Sequence, residues 1–334
     1  MVGIGIIGAG YIGRVHAEAL EGVPDAELVG FASRRAETAA ELAERFGTRA
    51  YRSEQELLDD PKVDAVIITY PTHRHLEVTQ QAFAAGKHVI CEKPIAFSVD
   101  EADQMSAAAE ESGQLLMLAH VVRFWPGYAE LQRQVASGAF GRPIWASGRR
   151  AVVRPNWGMW LEGGDRLTGG AVIDLLVHDF DYLNSVFGTP RSVLARGRKD
   201  RQDGAIRNVL ASVRYDDGDA IVDGSADMPP SAPFTSTVRV FCERGVLDYQ
   251  FVAGGGRPDE GAKFNTLTIY PADGEAYEPS LDQRSAFLIQ AEYFVGCLRD
   301  GRSPEIGTVA QARDAIALAL AARTSLQEGR EVTI

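Results

Sequence analysis

The sequence contains few cysteines, and they are not spaced as metal ligands or as a redox pair. Cys91, Cys242 and Cys297 lie far apart in a chain of 334 residues, without a Cys-x-x-Cys motif. The His-Glu-x-x-His motif of zinc proteases and the Gly-x-Ser-x-Gly motif of serine hydrolases are also missing. We therefore expect no metal site and no serine-hydrolase chemistry, and we interpret the cysteines as small buried groups in a reducing compartment.

The sequence also lacks an excess of positive charge, a basic leader and a long hydrophobic run. Lysine and arginine total 34 against 46 acidic residues, so the net charge is -12 and the pI is about 5.1. Such a chain repels nucleic-acid phosphates, and its basic pairs, Arg34-Arg35 and Arg149-Arg150, stand alone. No apolar run approaches the roughly 20 residues of a membrane-spanning helix. We expect a cytoplasmic protein that binds neither nucleic acid nor membrane.

What is present is an ordinary globular composition, 45% hydrophobic, in a chain long enough for two cores. In the first part, short apolar runs alternate with amphipathic stretches. The pattern predicts strands at Val2–Ile7, Ala26–Ala32, Ala65–Thr69 and His88–Cys91, and helices at Ile12–Gly22, Ala36–Phe46 and after an N-cap at Ser98. Continuous apolar strands that alternate with helices predict an α/β domain with a doubly wound parallel sheet.

The pattern of apolar and polar residues changes beyond about residue 125. Here segments with alternating apolar and polar residues are separated by turn residues. They predict an open, mainly antiparallel sheet, with strands at Val209–Tyr215, Ala220–Gly224, Thr235–Phe241, Val246–Phe251 and Leu267–Tyr270. Helices are predicted at Gly170–Phe187, Arg284–Leu298 and Val309–Leu326, the last of them packing back on the first domain. We therefore divide the chain into residues 1–122 and an α+β domain of residues 123–334.

A glycine-rich turn follows the first predicted strand. Gly8, Gly10 and Gly13 form the pattern Gly-x-Gly-x-x-Gly, which in this position is typical of a dinucleotide-binding turn. Its glycines allow a tight turn, a close approach of the pyrophosphate and contact between helix and strand. By their place in the motif, Tyr11 and Ile12 lie over the pyrophosphate. The alternative is a glycine-rich turn without a ligand.

The second strand ends in Ser33-Arg34-Arg35, where many dinucleotide-binding proteins have an acidic residue for the adenine ribose. A hydroxyl and two guanidinium groups suit a ribose 2′-phosphate instead, because arginine binds phosphate through two parallel hydrogen bonds. We therefore predict NADP(H) as the preferred cofactor, with NAD(H) possible. The alternative is that both arginines are solvated at the start of a helix.

Two further groups of polar residues indicate catalysis. Glu92-Lys93-Pro94 follows the strand at His88–Cys91, at the sheet edge where parallel sheets bind ligands, although a surface ion pair would explain it equally well. Asp174 and His178 are four residues apart, so on a helix they share one face. Histidine is the side chain best suited to accept an alcohol proton near neutral pH, although a single histidine is more often a core residue.

Together these motifs resemble the Gfo/Idh/MocA family, which includes glucose–fructose oxidoreductase and inositol dehydrogenases. The resemblance rests on the glycine motif, Thr69-Tyr70-Pro71-Thr72-His73, Glu92-Lys93-Pro94 and the segment from Gly169-Gly170 through Asp174 and His178 to Asp181, and it covers essentially the whole chain. It implies a Rossmann domain followed by a substrate-binding domain, and a nicotinamide-dependent oxidoreductase that acts on a secondary alcohol or ketone of a sugar, inositol or related polyol.

The resemblance also implies roles for individual residues. His178 is the proton acceptor, Lys93 binds the reacting oxygen or shares the proton relay, and Asp174 holds a substrate hydroxyl or His178; which of Lys93 and His178 is the formal base stays open. Residues beside the nicotinamide are Thr69, Pro71, Thr72, His73, Glu92 and Lys93. Weaker substrate candidates are Arg123, Trp157 and Trp160, for which an interdomain ion pair and loop packing are the alternatives.

The resemblance further implies a homodimer or homotetramer assembled through the open sheet. Two other functions remain possible at this stage. One is a cofactor-binding regulator without turnover, and the other is a glycosidase that uses a tightly held nicotinamide for transient oxidation.

Overall fold

The computed structural model describes residues 1–154, 168–201, 203–258 and 260–334. The chain forms two compact units, the first comprising Met1–Phe124 and Arg284–Arg313, and the second comprising Trp125–Gln283 and Asp314–Ile334. The sequence-based division placed all of residues 123–334 in one domain, whereas the structure assigns the segment Arg284–Arg313 to the first unit.

The first unit is built on a parallel sheet whose strands follow the order β3-β2-β1-β4-β5-β6. Its strands are β1 (Val2–Ile7), β2 (Ala26–Ala32), β3 (Arg49–Tyr51), β4 (Ala65–Ile68), β5 (His88–Glu92) and β6 (Leu116–Ala119). The connecting helices are α1 (Tyr11–Leu20), α2 (Ala36–Phe46), α3 (Glu54–Leu58), α4 (His75–Ala84) and α5 (Val99–Ser112). The strand order reverses between β1 and β4, which creates a switch point at the carboxyl ends of these strands. The predicted doubly wound parallel sheet is therefore confirmed.

The local signals in the sequence explain these boundaries. Every residue of β1 and β4 is buried, as expected for strands covered on both faces. Helix α2 ends at Gly47, which has a φ of 64°, a left-handed conformation that glycine adopts without strain. Helix α5 begins at Ser98, whose hydroxyl accepts a hydrogen bond from the Glu101 N–H at 3.1 Å.

The second unit contains a sheet that, in the described residues, has the strand order β13-β12-β11-β7-β10-β9-β8-β14, where β14 is the short last strand Val332–Thr333. Its first seven strands are β7 (Pro143–Val153), β8 (Ser192–Lys199), β9 (Ile206–Arg214), β10 (Asp219–Met228), β11 (Thr235–Cys242), β12 (Gly245–Ala253) and β13 (Ala262–Pro271). Neighbouring strands are antiparallel except for β7 and β10, which are parallel. This confirms the prediction of a mainly antiparallel sheet.

One face of this sheet is buried and the other is open. Along β9, Val209, Ala211 and Val213 are buried, while Leu210 and Ser212 between them are exposed. Helices α6 (Pro126–Ala136) and α7 (Val177–Phe187) belong to the same unit, and Tyr128 of α6 packs edge-to-face against Tyr249 of β12. The alternation along β9 therefore separates the core face of the sheet from its open face.

The predicted continuous helix over Gly170–Phe187 is wrong in its first part. Residues Ala171–Leu175 form a π-helical turn, closed by a hydrogen bond from the Leu176 N–H to the Ala171 carbonyl at 2.9 Å, and α7 starts only at Val177. Hydrogen bonds that span five residues widen the turn, and such turns are frequent at functional sites. The sequence pattern does not distinguish them from an ordinary helix, because both bury the same apolar residues.

Two long helices and a short strand complete the chain: α8 (Ala286–Asp300), α9 (Val309–Glu328) and β14 (Val332–Thr333). Helix α8 belongs to the first unit, where Phe124 packs against Tyr293 and Phe294 with ring centroids 5.4 and 5.8 Å apart. The segment after α8 continues this packing, because the Leu118 N–H of β6 donates to the Gly307 carbonyl at 2.8 Å. The division between the two units falls within α9, after Arg313.

Candidate cofactor and catalytic sites

The three motif glycines lie in the turn from β1 to α1, and each has a different surrounding. Gly8 has a φ of 120°, and a Cβ added there would lie 2.4 Å from the Thr69 hydroxyl. A Cβ on Gly13 would lie 2.0 Å from the Gly8 carbonyl oxygen. A Cβ on Gly10 would meet no atom within 4 Å, and its φ is -92°. The fold therefore requires glycine at positions 8 and 13, whereas the space at Gly10 fits the close approach of a ligand.

Hydrogen bonds hold this turn between the neighbouring strands. The Gly8 N–H donates to the Ala32 carbonyl at the end of β2, and the Thr69 hydroxyl donates to the Gly8 carbonyl at 2.8 Å. Gly10, the N-cap residue, has no side chain that could cap α1, and the first turn of α1 contains no acidic residue. The helix start thus offers N–H donors and a partial positive charge to an anion, which is the requirement for holding a pyrophosphate.

The other residues of the turn lie at the surface of the first unit. Tyr11 is exposed, with the Arg14 guanidinium 5.2 Å from its ring centroid, and Ile12 is half-buried. Both begin α1, next to the space at Gly10.

A cavity of about 390 Å³ lies beyond the carboxyl end of β2. Its lining includes Ser33, Arg34 and Arg52, together with Glu54 and Tyr70. Ser33 is half-buried and Arg34 is exposed, and both line the cavity where the sequence predicted a phosphate site. The Glu54 carboxylate also lines this cavity, and it lies 3.4 Å from the Arg74 guanidinium.

Arg35, the second arginine of the predicted phosphate site, lies at the start of α2. It is the exposed N-cap residue of α2, and its backbone N–H lies 3.4 Å from the Ser33 hydroxyl. The structure therefore brings Ser33 and Arg34 to the cavity and adds Arg52, which follows β3.

The segment after β4 forms a short 3-10 turn, Thr72–Arg74. Thr72 is buried, Pro71 is half-buried and His73 is exposed. His75, two residues after His73, is only 1% exposed, and its ring contacts three carbonyl groups. Its Nδ1 lies 3.0 Å from the Pro94 oxygen and 3.3 Å from the Ile95 oxygen, and its Nε2 lies 2.9 Å from the Tyr70 oxygen. This histidine thus links the end of β4 to the loop that follows β5.

Glu92 ends β5 and Lys93 follows it, and the two side chains have different surroundings. The Glu92 carboxylate is buried, with Oε1 2.7 Å from Nε2 of His16, and its Oε2 accepts a hydrogen bond from the Lys93 N–H at 3.0 Å. Burial opposes ionisation of Glu92, but the hydrogen bond from His16 and the charges of His16 and Lys93 outweigh it, so the pKa of Glu92 is lowered. Lys93 is half-buried and is followed by a cis peptide bond to Pro94.

In the second unit, Asp174 and His178 lie on a segment that is otherwise mostly buried. Between Ala171 and Leu183 the side chains that are not buried belong to Asp174, Leu175 and His178. Asp174 lies in the π-helical turn and His178 in the first turn of α7, and both residues are half-buried. The shared face expected from their spacing stays a prediction, because the element that carries Asp174 is not a regular α-helix.

The residue next to His178 is anchored in the core of the second unit. The Asp179 carboxylate accepts two hydrogen bonds from the Arg150 guanidinium of β7, at 2.7 and 3.1 Å, and the two side chains are 4% and 3% exposed. Burial raises the pKa of Asp179, whereas the charges of Asp179 and Tyr128 raise the pKa of Arg150 in spite of burial. The ion pair fixes the start of α7 to the sheet.

The remaining sequence candidates are less well defined. Arg123 is half-buried in the short turn Val121–Phe124 of the first unit. Trp157 and Trp160 lie outside the described residues. In the described part of the chain, no group of three or more histidine, cysteine, aspartate or glutamate side chains could hold a metal ion, and no helix is long and apolar enough to cross a membrane.

Four polar residues of these sites were not predicted from the sequence. His16 had a usable signal, because it lies three residues after Gly13 and therefore shares the buried face of α1. His75 and Arg150 gave no comparable signal, since Pro94 lies 19 residues from His75 and Asp179 lies 29 residues from Arg150. Arg52 follows β3, a strand of three residues that the pattern did not reveal.

Comparisons with known proteins agree with this architecture. Residues 2–120 match the GFO/IDH/MocA oxidoreductase family with an NAD-binding Rossmann fold, and residues 128–248 match the GFO/IDH/MocA C-terminal domain. The chain is 27% identical to scyllo-inositol 2-dehydrogenase (NAD(+)) of Bacillus subtilis, over 98% of this chain and 95% of that protein. It is also 27% identical to D-xylose 1-dehydrogenase (NADP(+)) 2 of Haloferax volcanii, over 90% of each chain. Among solved structures, UDP-N-acetylglucosamine 3-dehydrogenase of Acidithiobacillus ferrooxidans superimposes with a TM-score of 0.83 at 27% identity, covering 98% of both chains.

Proposed function

Because the chain belongs to the Gfo/Idh/MocA family of NAD(P)-binding oxidoreductases acting on CH–OH groups, we propose that it transfers hydride between NADP(H) and a secondary alcohol or ketone of a sugar, inositol or related polyol. The observation that carries the proposal is the turn at Gly8, Gly10 and Gly13. Close contacts within the fold account for glycine at positions 8 and 13. A bound dinucleotide accounts for glycine at position 10.

The cavity at the end of β2 supports NADP(H) as the preferred cofactor. Ser33, Arg34 and Arg52 line this cavity, and residues with hydroxyl and guanidinium groups suit the doubly charged 2′-phosphate, although Arg52 also pairs with Glu56 at 3.1 Å. Relatives of this chain differ in the cofactor that their names give, so NAD(H) is accepted in this proposal as the weaker cofactor.

The remaining cofactor contacts are assigned by position. The N–H groups at the start of α1 hold the pyrophosphate, with Tyr11 and Ile12 beside it. The residues proposed to lie near the nicotinamide follow β4 and β5 and are Thr69, Pro71, Thr72, His73, Glu92 and Lys93. When bound, the nicotinamide accepts or supplies the hydride.

The chemistry left to the chain is the movement of one proton. As hydride leaves the carbinol carbon, the hydroxyl proton passes to the His178 imidazole, because histidine is the side chain best suited to proton transfer near neutral pH. Lys93 binds the reacting oxygen and stabilises its developing negative charge, and Asp174 orients the imidazole or a substrate hydroxyl. In the reverse direction the same groups return the proton to the ketone oxygen. Arg123, Trp157 and Trp160 are proposed substrate contacts.

The open face of the second sheet supports a homodimer or homotetramer. Leu210, Phe264 and Tyr270 are large, exposed and on the side of their strands away from the core, the face that the family resemblance assigns to assembly. Light scattering on the purified protein measures the assembly, and a monomer at micromolar concentration would contradict this part of the proposal.

The test of function follows absorbance of the reduced nicotinamide while the protein is mixed with polyols and ketosugars and with NADP or NAD. We expect turnover that falls by orders of magnitude in His178→Ala and in Lys93→Ala, while both variants still bind cofactor. His88→Ala, at the start of β5, is the matched control and keeps its activity. If no compound in the panel changes the absorbance although the protein binds cofactor, the result would favour a regulator. Bound cofactor with product release and no net redox change would favour a transient-redox glycosidase.

A further inference from the structure

We propose that His16 and Glu92 are positioning residues for Lys93, and that His75 holds the same bend from its other side. The proposal rests on the role of Lys93 in the proposed function. Its basis is a connected set of buried polar contacts around the end of β5, all within the first unit.

The first contact joins α1 to the end of β5. His16 is 3% exposed and Glu92 is 8% exposed, and their side chains are 2.7 Å apart. Because the pKa of Glu92 is lowered, its carboxylate is ionised near neutral pH and accepts the proton of His16 Nε2. The edge of the His16 ring also packs against Phe287 of α8 at a centroid distance of 5.5 Å, which limits its rotation.

The second contact transmits this arrangement to Lys93. The other carboxylate oxygen of Glu92 accepts the Lys93 backbone N–H at 3.0 Å. Glu92 therefore uses one oxygen for His16 and one for Lys93, so a rotation of the carboxylate would disturb both hydrogen bonds. The backbone of Lys93 is fixed by this arrangement, and the position of its ammonium group depends on that backbone.

The third contact fixes the loop after Lys93. The His75 ring lies between the Tyr70 carbonyl on one side and the Pro94 and Ile95 carbonyls on the other. Burial lowers the pKa of His75, so the ring is neutral near pH 7 and donates one hydrogen bond at a time. Either hydrogen bond keeps the ring between the end of β4 and the loop after β5.

Buried polar groups of this kind are costly, and an apolar core would pack the same volume with less desolvation. These buried polar groups differ from other polar groups in a protein core because several of them surround one residue, Lys93. The chain has only five lysines, and the backbone N–H of Lys93 donates to a buried carboxylate, that of Glu92. Accurate placement explains the arrangement, because a misplacement of about 1 Å at a reacting centre costs up to about 100-fold in rate.

The first experiment observes Lys93 directly in the protein without cofactor. Reductive methylation with 13C-formaldehyde labels the lysines and the Met1 α-amine, and the five lysine signals, from Lys62, Lys87, Lys93, Lys199 and Lys263, are assigned by single Lys→Arg variants. His16→Leu removes the donor to Glu92, and we expect it to shift the Lys93 signal and its titration midpoint more than those of the other four lysines. His16→Gln keeps a donor and should restore most of the original signal.

The control is His88→Leu, because His88 begins the same strand that Glu92 ends, and its Nδ1 accepts the Leu115 N–H at 3.0 Å. This variant should leave the Lys93 signal unchanged. Should His16→Leu not fold, Glu92→Gln is measured instead, since the amide keeps the size of the side chain but not its charge. An unchanged Lys93 signal in a folded His16→Leu or Glu92→Gln protein would overturn the proposal.

The second experiment is a double-variant cycle on turnover, with a substrate found in the polyol panel. We expect His16→Leu to lower kcat about 10- to 100-fold with little change in cofactor Kd, and to have no further effect in a Lys93→Ala background. Equal losses in both backgrounds would mean that His16 acts only on stability, which refutes positioning. Near-normal turnover of Lys93→Ala alone would instead refute the proposed function, while the 13C signals still test the positioning of Lys93.

Discussion

Replacing Gly10 by alanine should separate cofactor binding from folding. The added Cβ meets no protein atom within 4 Å and the φ of -92° is ordinary for alanine, so the folded chain accepts it. Because alanine reduces the freedom of the unfolded chain, we expect the free energy of unfolding to stay the same or to rise by about 0.4–1 kcal/mol. The same methyl group fills the space beside the start of α1 that the pyrophosphate needs.

The expected loss of affinity follows from the hydrogen bonds at this helix start. A hydrogen bond from a backbone N–H to a charged phosphate contributes about 1.5–3 kcal/mol, so the loss of one weakens binding roughly 10- to 150-fold. Titration calorimetry with NADP⁺ and NAD⁺ measures this loss, and both cofactors should be affected alike, since the pyrophosphate is common to them. Urea unfolding of the same samples measures stability.

Two other glycines serve as controls. In Gly13→Ala the Cβ would lie 2.0 Å from a backbone carbonyl, so this variant should lose about 1–3 kcal/mol or more of stability. Gly296→Ala lies within α8, 3.6 Å from the nearest side chain, and should leave cofactor binding unchanged. If Gly10→Ala binds both cofactors as tightly as the unmodified chain, the assignment of this turn to the pyrophosphate is refuted.

Three further predictions concern other parts of the molecule. Arg34→Ala should weaken NADP⁺ binding about tenfold without changing NAD⁺ binding, because only NADP⁺ carries the 2′-phosphate; equal losses in calorimetry would contradict the assignment. Arg150→Met should cost about 3–5 kcal/mol in urea unfolding, since it leaves the buried Asp179 carboxylate without its partner, and adding Asp179→Leu should recover much of that loss. The lowered pKa of His75 means that the unfolded chain binds a proton which the folded chain does not, so stability should fall as pH drops below about 6.5, by up to about 1.4 kcal/mol per pH unit. His75→Gln should show a shallower slope in unfolding measured between pH 7.5 and 5, and an identical slope would assign the acid sensitivity to other groups.

The sequence predicted the elements whose signals are local. β1, β2 and α2 have the predicted bounds, because β-branched runs, turn residues and the glycine at position 47 act within a few residues. The short strands β3 and β6 were missed, since three or four residues are too few to show a period. The long strand β7 was also missed, because it pairs with β10 and β11, which lie far away in the sequence.

The candidate sites divide in the same way. The three motif glycines and the pair of Ser33 and Arg34 could be predicted because each group is contiguous or nearly so. The hydrogen bond between His16 and Glu92 joins residues 76 positions apart and could not be derived from periodicity. The π-helical turn before His178 was not predicted for another reason. Its hydrogen-bond pattern, not its burial pattern, distinguishes it from an α-helix.

The return of Arg284–Arg313 to the first unit has a consequence for the newly synthesised chain. Leu118 and Phe124 find their partners Gly307, Tyr293 and Phe294 only after residues 125–283, a stretch of 159 residues, have been added. At about 5–20 residues per second, the ribosome needs roughly 8–30 s for that stretch. During this interval the nascent N-terminal segment exposes an apolar edge beside β6, which makes it a candidate client for chaperones that bind at the exit tunnel.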